Sequence, residues 1–189
     1  MRNGSAMKLK ILGALTLAAV MATSGAAHAD SQWQVGVKIL ESAGVSGTVT
    51  FGVDPAATAG ADGGLGEVVQ PPKPPAGSFD ARSSAGGGLV LDLRPGTTGS
   101  LGPYTASIEI QRAVGGATLT VTWDMAAVAA NTTTATLQDQ AGGFFFSPVD
   151  MRTAGTATIS NAAATVADIV FTSADGILPA NHTVLEIDA

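Results

Sequence analysis

Residues 117–123 read ATLTVTW, and this stretch decides the fold class. Successive side chains of a strand point to opposite faces, so Leu119, Val121 and Trp123 share one face and Thr118, Thr120 and Thr122 the other. Outward from it, WQVGVKI (33–39), VSGTVTF (45–51), LVLDL (89–93) and ASIEIQ (106–111) carry the same period of two. Shorter runs follow at 134–137, 144–149, 156–160, 166–171 and 183–187. Short runs of Thr, Val and Ile separated by Gly, Pro, Asn and Asp predict an all-β chain. A sheet with one apolar face has to cover it, and MAAVAA (125–130) shows no clear cap and predicts only a loop or single turn. The expected fold is therefore a two-sheet antiparallel β-sandwich of immunoglobulin/fibronectin-like architecture. Abundant Ala and Gly predict a thin core of small residues.

The amino terminus has the form of an export signal. Arg2, Lys8 and Lys10 precede an apolar run, 11–22, and Ala27-His28-Ala29 supplies a small-x-small cleavage pattern before Asp30. Met1 and Met7 are equivalent starts. The run is shorter than the roughly 20 residues of a membrane span, and no later segment is longer. The expected mature chain is residues 30–189, one domain without a membrane span, in the periplasm, at the cell surface or outside the cell. Removing the three basic leader residues leaves six Lys/Arg against fifteen Asp/Glu, a formal −9. That balance argues against a nucleic-acid partner, which needs a basic face. No cysteine is present, so disulfides, thiolate metal sites and cysteine nucleophiles are excluded.

Residues 51–82, FGVDPAATAGADGGLGEVVQPPKPPAGSFDAR, form a long Gly/Pro-rich connection. A linker reading would leave 30–62 to fold alone with about two strands, too few for stability. The segment therefore belongs inside one sandwich. Asp54, Asp62 and Glu67 lie where glycines let backbone carbonyls turn toward one point, and they are the candidate calcium ligands, although the spacing is no EF-hand. The competing reading makes Asp54-Pro55 and Asp62-Gly63-Gly64 ordinary turns. Pro71-Pro72-Lys73-Pro74-Pro75 predicts a stiff extended strap that delivers Phe79 to the core, with Asp80 and Arg82 placed to pair.

Catalysis has little raw material. His182 is the single histidine of the mature chain, no Gly-x-Ser-x-Gly elbow exists, and zinc would need three or four ligands. Paired carboxylates among Asp80, Asp92, Asp124, Asp139, Asp150 and Asp175 would allow a small hydrolase, but aspartates at strand ends commonly serve turns. No catalytic residue is assigned.

The order FGVDPAATAGADGGLGE (51–67), PPKPPAGSFDAR (71–82), TLTVTWD (118–124), ATLQDQAGG (135–143) and VDMRTAGTATISN (149–161) resembles a β-sandwich module of secreted and cell-surface bacterial proteins. The likeness covers about residues 45–172 and is greatest to multidomain proteins exported by bacteria with type IX secretion. The module's usual Thr-Asp-Gly is Thr58-Ala59-Gly60 here, which removes one acid from the calcium loop. The resemblance implies a surface or extracellular structural or adhesive module of unassigned ligand, and the expected function is a non-enzymatic structural, adhesive or assembly module that self-associates or binds a protein partner. A calcium- or carbohydrate-binding module, with surface carbohydrate as partner, is the alternative. An Asp-pair hydrolase is a remote one.

Overall fold

A computed structural model of the chain describes residues 28–29, 32–97, 101–174 and 176–177. The leader 1–29 (apart from the backbone of 28–29), Asp175, His182 and the predicted strand 183–187 lie outside the described residues. Twelve strands are assigned among them. They are β1 (His28–Ala29), β2 (Trp33–Glu41), β3 (Ser46–Asp54), β4 (Asp80–Ser83), β5 (Leu91–Pro95) and β6 (Tyr104–Gln111). Then come β7 (Leu119–Trp123), β8 (Thr132–Asp139), β9 (Val149–Asp150), β10 (Thr156–Ile159), β11 (Val166–Ser173) and β12 (Gly176–Ile177). One five-stranded sheet runs β10-β7-β2-β3-β5 and the other β4-β6-β11-β8-β9, while β1 and β12 pair only with each other.

The two sheets pack as a sandwich, the fold class the alternation predicts. Along β2 burial alternates strictly, with Trp33, Val35, Val37 and Ile39 inside. Leu119, Val121 and Trp123 point inward on β7, and Ile108 and Ile110 on β6. Leu137, Ile169 and Phe171 lie in the same sheet as Ile108 and Ile110, opposite the β2 and β7 residues, and all belong to one continuous core. The core is not made of small residues. Trp33, Phe51, Phe171 and Tyr104 form an aromatic cluster with ring centroids 5.2–5.7 Å apart at one end. The alanines at 106, 135, 157 and 167 fill the gaps between larger side chains, which is what close packing of two twisted sheets requires.

Three local departures have identifiable causes. Residues 125–130 lie in a helix, Met125–Asn131, rather than a loop. Its cap is Asp124, whose side chain accepts the Ala127 N–H at 3.0 Å, and Val128 is fully buried beneath it. The apolar run 144–149 is not a strand: only Val149–Asp150 pairs, because the Asp139 carboxylate gathers the preceding amides into a turn. One strand pair, β3 with β5, is parallel, whereas the others in both large sheets are antiparallel.

That parallel pair explains the long connection. Parallel neighbours cannot be joined by a tight turn, so the chain must cross over. It leaves β3 at Asp54, runs up the side of the sandwich, forms β4 in the opposite sheet and returns to β5. Proline has no N–H, so the prolines of the strap are held through their carbonyls, while Lys73 pairs with Glu109. Arg82 Nη1 donates to the Pro71 carbonyl at 2.6 Å, and Gln111 Nε2 donates to the carbonyls of Pro74, Pro75 and Ser78 at 2.9–3.1 Å. Phe79 then packs partly buried against the core. Gly52, in the FG pair that opens the segment, must be glycine because a Cβ there would lie 2.1 Å from the Trp33 carbonyl oxygen.

Candidate functional site

The candidate calcium ligands are already engaged. Asp54 is buried; its Oδ1 accepts the Ala56 N–H at 2.8 Å and its Oδ2 the Gln32 amide at 2.7 Å. Asp62 accepts the Thr58 N–H at 2.6 Å and the Thr58 hydroxyl. Glu67 is 2 % exposed, with Oε2 accepting the Asp62 N–H at 2.6 Å and Oε1 the Leu93 N–H at 2.5 Å. Each carboxylate thus meets the positive ends of N–H dipoles, and among the described residues no three acids or histidines converge on one point. Glu67 acts as a strut tying the glycine-rich loop to β5. Ala57, Leu89 and Leu93 are also buried but do not belong to the main core cluster.

A cleft of about 380 Å³ runs between the strap and the β4–β6 surface, bordered by Pro71, Lys73, Arg82, Ser84, Gly88 and Glu109. Its charges pair with one another. Arg82 holds Asp80 through Nε and Nη2 at 2.6 and 2.8 Å, as the FDAR pattern predicts, and Lys73 pairs with Glu109. The Asp80 hydrogen bonds raise the Arg82 pKa above its ordinary value, with burial opposing. Gly88, at φ +109°, leaves room for that guanidinium stem, since a Cβ would approach Arg82 Cδ to 2.8 Å. The cleft is a seam locking the strap, its Arg82 and Lys73 side chains engaged with Asp80 and Glu109.

The opposite reading, a binding surface, has firmer material at one end of the sandwich. Strand register places four loops there: 42–45, 112–118, 140–148 and 160–165. The Ser42 N–H donates to the Thr118 carbonyl, Arg112 Nη2 donates to the Asn161 carbonyl, and Asp139 stands opposite Ala167. Burial lowers the Arg112 pKa, and nearby Glu41 opposes that shift. Val114 is 84 % exposed and Phe144 79 %. Their loops leave β6 and β8, two strand spacings apart across β11, or about 10 Å. Residues 42–45, 113–118, 140–148 and 160–165 contain no charged side chain.

The Phe144 loop is rigidly built. Asp139 is fully buried, with Oδ1 accepting the N–H groups of Ala141 and Gly143 at 2.8 and 3.1 Å. Its Oδ2 accepts those of Phe145 and Phe146 at 2.7 and 3.0 Å. Burial alone would raise the Asp139 pKa, but the four backbone donors outweigh it and hold the pKa at about 2. Phe145 and Phe146 turn toward the core while Phe144 projects, stacked edge-on against Phe145. Sequence reasoning missed this because FFF reads as strand; the Gly142-Gly143 before it and Pro148 after it were the available signals of a loop.

The fold therefore defines an all-β two-sheet sandwich with the apolar side chains of Val114 and Phe144 exposed at one end, where Arg112 is the one charged residue within the four loops. No protein-family model, curated protein or solved structure matches the chain. No helix among the described residues is long and apolar enough to cross a membrane.

Proposed function

We propose that this chain is an exported, non-enzymatic β-sandwich that serves as a structural, adhesive or assembly module at the cell surface or outside the cell. The observation that carries the reading is the end with Val114 and Phe144 exposed on loops whose only charged residue, Arg112, is tied to the Ala117 and Asn161 carbonyls. An exposed aromatic held on a pre-ordered turn loses little entropy on binding, and such residues dominate interface energies. Burying one Phe and one Val contributes about 1.5–3 kcal/mol each. The leader-like amino terminus and the resemblance of residues 45–172 to secreted bacterial modules support the location.

The experiment measures retention of the labelled mature chain, residues 30–189, on washed cells of its own source. The double variant Phe144→Ser with Val114→Ser is expected to lower the bound fraction at least about tenfold, given that burial energy. Equal retention of variant and parent overturns the reading.

A further inference from the structure

A sheet edge presents unpaired N–H and C=O groups, and proteins protect such edges unless they use them. This sandwich has four, and three are blunted. On β5, Pro95 lies within the strand, and the Leu93 N–H is taken by the Glu67 carboxylate. On β4, Ser83 exchanges two backbone hydrogen bonds with Leu89 while the strap lies alongside. On β9 only two residues pair, directly after Pro148. The fourth, β10, pairs with β7 on one side only. Among the described residues, nothing hydrogen-bonds its outer side.

Charge identifies the occupant. The chain carries fifteen acids against nine basic residues, so copies repel over most orientations. From residue 153 to 167, however, no Asp, Glu, Lys or Arg occurs, so β10 and its following loop form a neutral approach. Neither a lysine nor a proline guards the edge.

We propose that β10 is a homophilic edge, on which the β10 of a second copy adds antiparallel and joins two sheets into one of ten strands. Matching inner and outer faces requires residues of the same parity to oppose each other. A dyad at Thr158 sets Thr158 against its own symmetry mate, Ala157 against Ile159 on the inner side, and Thr156 against Ser160 outside. This register sets Ile159, already buried within its own sandwich, level with the partner's alanine, whereas a dyad at Ala157 would set it level with Gly155. The contact is separate from the Val114 and Phe144 tips, so either assignment stands if the other fails.

The test exploits the dyad. Thr158 faces outward beside Thr120, so Thr158→Lys and Thr158→Glu should leave the monomer intact. In the dimer each places like charges about 5 Å apart, which is destabilising. Light scattering on a sizing column, from about 10 µM to about 1 mM to cover the weak class of small interfaces, should show a concentration-dependent dimer for the parent and monomers for each variant. An equimolar mixture of the two variants should regain the dimer. Hydrogen exchange at the amides of 156–159 in the parent should slow with concentration, which needs no variant. A parent monomeric throughout, variants that dimerise alone, a mixture that stays monomeric, or exchange independent of concentration overturns the assignment.

Discussion

Glu67 offers the sharpest check on how the glycine-rich loop is held. Its two oxygens accept the Asp62 and Leu93 amides at 2.6 and 2.5 Å, and the side chain is 2 % exposed. Replacing it with alanine strands two donors, and each unsatisfied buried group costs about 1–3 kcal/mol. The expected loss is therefore about 4 kcal/mol, a large share of the 5–15 kcal/mol that stabilises a domain. With a urea m-value of about 2 kcal/mol per molar, the unfolding midpoint of Glu67→Ala should fall by about 2 M. Glu67→Gln keeps one acceptor and turns a donor toward the other amide, so it should lose about half as much. A midpoint within about 0.5 M of the parent for Glu67→Ala would refute the strut. The same assay decides calcium. Because Asp54, Asp62 and Glu67 are occupied by N–H and O–H donors, calcium on the order of 5 mM, saturating for extracellular sites, should leave the midpoint unchanged. A rise on adding calcium would show that the loop reorganises around the ion.

The remaining predictions concern two aspartates. Asp139 has a folded pKa of about 2, below the ordinary 3.9 or so, so its stabilising contribution is complete above about pH 4 and is lost as pH falls toward 2. Melting curves of the parent and Asp139→Asn should converge across that window; parallel curves would count against the four-amide clasp. Asp124→Ala removes the cap of the helix Met125–Asn131 and should cost about 1 kcal/mol by chemical denaturation, with no change in oligomeric state. A neutral effect would mean that burial of Val128 alone holds the helix.

Much of the architecture was legible because period-two patterning is a local property. ATLTVTW and WQVGVKI alternate between apolar and other residues, and β7 and β2 follow them residue by residue. The pairing of Asp80 with Arg82 was legible for the same reason, since two residues apart on a strand share a face. The helix at Met125–Asn131 was not read, because its cap is Asp124, which also ends the ATLTVTW strand. The FFF run misled for a related reason. Its backbone follows a carboxylate five to seven residues earlier, and a pattern of apolar residues carries no record of such a bond.

An all-β chain and the inward faces of its main strands can be read from residue order, and residues 51–82 contribute a strand to the sandwich. The purpose of that segment emerges from the pairing of strands distant in the chain. It joins the parallel neighbours β3 and β5 through the opposite sheet, and its acids hold backbone amides that strand pairing leaves open. Long-range contacts also set which of the four edges has no neighbour among the described residues and which loops meet at one end. The physical reason is that alternation specifies a strand's faces, whereas its neighbours depend on contacts between residues far apart in the chain.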